Sequence, residues 1–302
     1  MYRILALVLL AGPASGWAQP ADTTVTAAVE LARFEDARAL AIDPTGLLYV
    51  ADAGQGAVLR LDAGGRLLAA LGGPGTGEGR FDEPADIDPT NGLILVVADA
   101  GNGRLQRFSR DFLLLESIPV GDEGTAGRTA SSSFLARDSE VTDRAGGRPV
   151  AVVTSEAQEL FAVDARRKVV VQWDRNRRFV RLIGDQEPGL LLEPVALAAD
   201  ARSLYVADRA RAAVVVYDPF GGFVRMLAEG RARDVRAVTT AGERVVIVLP
   251  ERLLVYDASG RLERVIDVHL GAPLVDVAFR GETAYLLTPA RLFRAGGLLP
   301  AR

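Results

Sequence analysis

The sequence predicts an all-β fold: a six-bladed β-propeller of four-stranded antiparallel blades, closed by an N-terminal strand that completes the last blade. Three observations carry that expectation. The hexapeptide at residues 51–56, an Ala-Asp-Ala-Gly turn ending in glycine, recurs at 98–103, 47 positions later. Each copy is preceded by an apolar run (Leu47 to Val50; Ile94 to Val97) and followed by a second strand-like run. Six candidate innermost strands keep step with these turns and their weaker copies, and a repeat of this length is the period of a propeller blade.

The elements follow in chain order. Arg3, the apolar run Ile4 to Ala11, the Gly12-Pro13 break and the small residues Gly16 and Ala18 form a secretory leader with a cut expected after Ala18. That run is shorter than the ~20 apolar residues that span a bilayer. Val25 to Leu31 alternates and is expected to serve as the outer strand of the sixth blade, because the last repeat has no fourth strand of its own. The innermost strands are expected to start at Ala37, Pro84, Pro149, Pro194, Val235 and Pro273, spaced by 47, 65, 45, 41 and 38 residues. Fourth strands are expected at segments such as Leu67 to Leu71 and Phe179 to Ile183. Residues 19–302 thus form one domain. The 65-residue spacing marks an insertion at about 121–147, rich in Gly and Ser. It reads either as a lid or partner contact over one face or as an open loop.

Composition narrows the function. The net charge is −4, and Lys168 is the only lysine among 35 basic residues. The arginines are spread along the chain, which argues against a nucleic-acid footprint. There are no cysteines, hence no disulfides, no thiolate nucleophile and no lipid attachment through cysteine. With the leader, this describes a bacterial periplasmic or secreted protein without a membrane span, expected to be a monomer.

Residues 97–108 and the linker Gly72 to Phe81 with Glu83-Pro84 closely resemble the NHL repeat. The resemblance covers the mature chain and is strongest in the first, second and fourth repeats. It implies a six-bladed propeller, a fold used by lyases, lactonases, receptor modules and binding modules, so the fold does not by itself assign a function. It also implies that Asp52, Asp99, Asp164 and Asp208, which recur once per blade, tie the turn between the second and third strands by accepting backbone N–H bonds.

Few residues carry chemistry. The glycine-rich linker Gly72 to Gly79 lacks the following helix and lysine of a phosphate loop. His269 is the only histidine, which leaves no cluster for a zinc site and a single peripheral base. Asp36, Glu83, Arg148, Glu193 and Asp234 precede the innermost strands, with Asp86 a little inside, and form the candidate ligand or partner site at one channel mouth. Four carboxylates from four blades suit Ca²⁺, which takes six to eight oxygen ligands. The position resembles that of the metal ligands in the gluconolactonase (SMP-type) family. Asparagines expected there are missing, and Arg148 adds a cation. The reading from sequence is therefore a non-enzymatic exported propeller that binds a protein, peptide or glycan through one face, with no cofactor. The alternative is a Ca²⁺-dependent lactonase-like hydrolase using that mouth.

Overall fold

A computed structural model describes residues 21–25, 28–89, 91–121 and 146–299, and these form a ring of six blades. Two strands precede the ring, β1 (Ala21–Val25) and β2 (Val29–Arg33). Blade one comprises β3 (Ala37–Ile42), β4 (Leu48–Asp52), β5 (Ala57–Leu61) and β6 (Leu67–Gly72). Blade two comprises β7 (Pro84–Asp88), β8 (Ile94–Asp99), β9 (Arg104–Ser109) and β10 (Leu114–Pro119). Blade three comprises β11 (Pro149–Thr154), β12 (Leu160–Asp164), β13 (Val169–Trp173) and β14 (Phe179–Ile183). Blade four comprises β15 (Pro194–Ala199), β16 (Leu204–Asp208), β17 (Ala213–Tyr217) and β18 (Phe223–Leu227). Blade five comprises β19 (Ala237–Ala241), β20 (Arg244–Leu249), β21 (Arg252–Tyr256) and β22 (Leu262–Val268). Blade six has β23 (Asp276–Arg280), β24 (Thr283–Leu287) and β25 (Arg291–Gly296).

The burial pattern explains the strand sequences. β4, β12, β13, β16 and β17 are buried at every position, because both faces of a blade pack on neighbours. Those strands are accordingly apolar apart from the buried Asp52, Asp164, Asp208 and Gln172, whereas the outer strands β6, β14 and β18 expose residues such as Leu67, Phe179 and Val224. An apolar cluster fills each seam between neighbouring blades, for example Tyr49, Phe81, Val97 and Phe108 between blades one and two. Among the described residues no helix is long and apolar enough to cross a membrane.

The ring is closed by an N-terminal strand, with a shift from the expected position. β2 pairs antiparallel with β25 as the outer strand of blade six, but it runs Val29–Arg33 instead of starting at Val25. Val25 belongs to β1, which pairs in parallel with β22 and makes a fifth strand on blade five. Its side chain is buried with Ile266, Val268 and Leu299 in the seam between blades five and six, so burial decides which strand takes it. The last two innermost strands also start later than expected, at Ala237 and Asp276. Val235 and Leu274 are buried, but as apolar plugs on the entering linkers. Their apolar character comes from that packing and not from strand pairing.

Most of the insertion lies outside the described residues. Its base is described: Gly147 N–H donates to Val120 C=O at 2.6 Å, and Gly121, with φ of 107°, lies against Gly146 and Gly147. A Cβ on Gly121 would stand 2.3 Å from the Gly147 nitrogen, so only glycine fits where the two chain ends meet. This base sits beside Arg148, at the entrance to blade three.

Candidate functional site

The turn aspartates set the geometry of one face. The side chains of Asp52, Asp99, Asp164 and Asp208 are fully buried. Each accepts backbone N–H bonds from its own turn or from the linker entering its blade. Asp52 takes Glu35 N–H (3.0 Å), Asp36 N–H (2.9 Å) and Gly54 N–H (3.1 Å). Asp99 takes Asp82 N–H (2.8 Å), and Asp164 takes Arg148 N–H (2.9 Å) and Arg166 N–H (3.0 Å). Asp208 takes Leu192 N–H (2.6 Å) and Arg211 N–H (3.0 Å). Each carboxylate therefore joins two loops, the second-to-third turn and the entry to the innermost strand. Linkers that would otherwise hold unpaired N–H groups become a rigid rim.

A pocket of about 390 Å³ opens at this rim across blades one to four. Glu83, Arg148 and Glu193 line it, together with Arg38, Lys168 and Arg209. The charges are paired. Arg148 reaches across a blade boundary to Glu83 (2.8 Å), Arg209 holds Glu193 (2.9 Å) and Arg38 holds Asp36 (2.5 Å). Sequence reasoning treated this row as acidic, with one intruding arginine. Arg38 and Arg209 were missed, although one stands two residues after Asp36 and the other directly follows Asp208. Pairing is a finding of the fold, since Glu83 and Arg148 lie 65 positions apart in sequence.

Asp234 and Asp86 stand apart from this recess. Asp234 is exposed on the linker to blade five and makes no ion pair among the described residues. Asp86 is not at the rim. It lies in the central channel, in a cavity of about 490 Å³ lined by all six innermost strands. Its carboxylate accepts Ile87 N–H (2.8 Å) and, across the seam, Val152 N–H (2.8 Å).

Asp276, which sequence reasoning did not single out, makes the same pair of bonds to Val277 N–H (2.8 Å) and Leu40 N–H (2.8 Å). The two aspartates occupy one register position of the innermost strand, filled in the other blades by Ala39, Ala151, Ala196 and Ala237. An innermost strand has an unpaired edge facing the channel, and these carboxyls satisfy edge N–H groups of the next blade. Burial pushes Asp276 up to about 7. Burial, with the nearby charges of Asp276 and Asp88, pushes Asp86 well above the usual carboxylate range.

Metal binding finds little footing here. Among the described residues no three of the His, Asp or Glu side chains stand close enough together to hold an ion. Glu83, Glu193 and Asp36 each have an arginine in the position a cation would take. The residues present do not fit the calcium set that the resemblance implied. His269 is exposed on the linker after β22, in a shallow depression with Glu251 and Arg252.

The fold is that of known lyases. Virginiamycin B lyase from Staphylococcus aureus superposes with a TM-score of 0.61 at 9% identity, covering 90% of this chain and 99% of that one. A catalytically inactive histidine-to-alanine variant of virginiamycin B lyase from Staphylococcus aureus, with quinupristin, gives 0.59 at 10% identity, covering 89% and 97%. A streptogramin B lyase gives 0.59 at 10% identity, covering 85% and 78%. No family model matches the chain, and no curated protein matches it in sequence. At such identities the likeness establishes the architecture, a six-bladed β-propeller, and nothing of its chemistry.

Proposed function

We propose that this chain is an exported propeller of the NHL-repeat kind that binds a protein or peptide partner at the rim where the innermost strands begin. One observation carries the reading. A recess of about 390 Å³ on that rim is walled by charged side chains from four blades, on loops that buried aspartates hold in place. A preorganised polar recess lowers the ordering cost of binding a partner. The non-enzymatic form of the reading is supported by the pairing of its carboxylates: a glutamate already held by arginine is a poor metal ligand. Among the described residues no aromatic side chain lines the recess, which argues against a glycan, since sugar rings are ordinarily held on aromatic faces.

An enzymatic alternative comes from the structural neighbours, which are lyases, one of them inactivated at a histidine. Here it would fall on His269, on the blade-five linker and outside the recess. The test is a screen of residues 19–302 against displayed peptides, repeated with Ala85→Trp, which fills the recess from its wall. Selected peptides should bind the parent and be lost in the variant. Binding that survives Ala85→Trp refutes the site. A Ca²⁺-dependent rise in Tm that vanishes in Glu83→Gln with Glu193→Gln would favour the lactonase-like hydrolase instead.

A further inference from the structure

The rim pocket contains one cation that no carboxylate among the described residues pairs with. Lys168 stands on the turn between β12 and β13 and is exposed. Each pocket arginine has its own carboxylate, whereas Lys168 makes no hydrogen bond or ion pair among the described residues. With Asp36 counted, four cations face three carboxylates among the described residues, which leaves the Lys168 charge without a partner there.

The position of Lys168 sharpens the point. It lies four residues after Asp164, and its φ is +59°. The equivalent residues of blades one, two and four, Gly56, Gly103 and Ala212, have φ of 57°, 65° and 50°. The turn therefore demands the left-handed region in all four blades, where glycine is at ease and a side chain is strained. The chain's only lysine occupies this position, on the blade whose entry carries Arg148. Glu83, another pocket residue, is likewise left-handed, with φ of 53°.

We infer that the recess takes the carboxylate of a short peptide on the Lys168 ammonium; this rests on the rim being the binding site. Each arginine beside it is paired with one carboxylate, and a guanidinium has five N–H donors, more than that pairing uses. Ala85, Val150 and Val195 provide apolar wall for small aliphatic side chains. A volume of about 390 Å³ suits a peptide end and not a folded domain.

The probes are trialanine, trialanine amide and glucuronate, titrated calorimetrically into residues 19–302 at low salt. Trialanine should bind about tenfold or more tightly than its amide, the difference expected of one charge-assisted contact. Lys168→Gly should reduce trialanine to the level of the amide without lowering Tm, because glycine is native to this turn in two other blades. Equal binding of acid and amide, no binding of either, or an acid preference that survives Lys168→Gly would overturn the inference. Glucuronate binding more tightly than trialanine would overturn the peptide class. Ala85→Trp separates the two readings. If it abolishes binding while Lys168→Gly does not, the rim stands and the carboxylate contact falls. If it abolishes nothing, the rim reading falls as well.

Discussion

Replacing Asp99 by alanine tests the clasp on which the rim depends. The buried carboxylate accepts Asp82 N–H at 2.8 Å, Asn102 Nδ2 at 2.9 Å, Arg104 Nε at 2.8 Å and Gln106 Nε2 at 3.2 Å. Breaking a buried charged pair by removing one partner costs about 3–5 kcal/mol. Two features place Asp99→Ala at the lower end. Arg104 keeps bonds to Gly77 C=O (2.6 Å) and Arg80 C=O (3.1 Å), and Gln106 keeps Arg80 C=O (2.8 Å). Burial also pushes the Asp99 carboxyl above its ordinary range, so its removal relieves a desolvation penalty. The expected loss is about 3 kcal/mol, a fall of roughly 1 M or more in the urea midpoint at unchanged slope. Urea unfolding followed by far-UV circular dichroism measures it, with Asp62→Ala as control. Asp62 bonds the Gly64 N–H (3.0 Å) and Arg66 (3.0 Å) in an exposed turn, and its removal should hardly move the midpoint. If Asp99→Ala and Asp62→Ala shift the midpoint alike, the aspartates do not hold the rim and the argument from preorganisation fails.

Two further outcomes follow from the ring. Asp276, pushed up to about 7, and Asp86, also raised, bind protons more tightly folded than unfolded. Their stabilising effect is complete below the unfolded carboxylate value and is lost as pH rises through the folded one. The channel still admits water to Asp276, so we expect about 2 kcal/mol of stability to be lost between about pH 4 and about pH 8. Urea midpoints across that range measure it, and a slope that Asp276→Asn leaves unchanged would show the channel carboxyls are not its source. Deleting residues 19–33 removes β1 and β2, strips the outer edge of β25 and unburies the Val25 site. Val25 alone is worth about 2 kcal/mol, so Tm should drop by about 4 °C or more. An unchanged Tm would mean the N-terminal strands do not latch the ring.

Much of this molecule is legible in its sequence because the defining interactions are local. A turn aspartate, a glycine four residues later and apolar runs on either side specify a hairpin within about 20 residues. Repetition of that unit announces the propeller. Pro84, Pro149 and Pro194 open innermost strands at the expected positions for the same reason. In blades five and six, which lack the aspartate, the strands expected at Val235 and Pro273 start at Ala237 and Asp276, because Val235 and Leu274 are apolar for packing and not for pairing. The charge balance of the rim was decided only when the ring closed. Glu83 meets Arg148 across a blade boundary, Asp86 bonds Val152 and Asp276 bonds Leu40. No periodicity records such pairs, because each joins residues brought together by blade packing. The identities of the charged residues were written in the chain from the start. Which were answered, and that Lys168 was not among the described residues, depended on distances that only the closed ring sets.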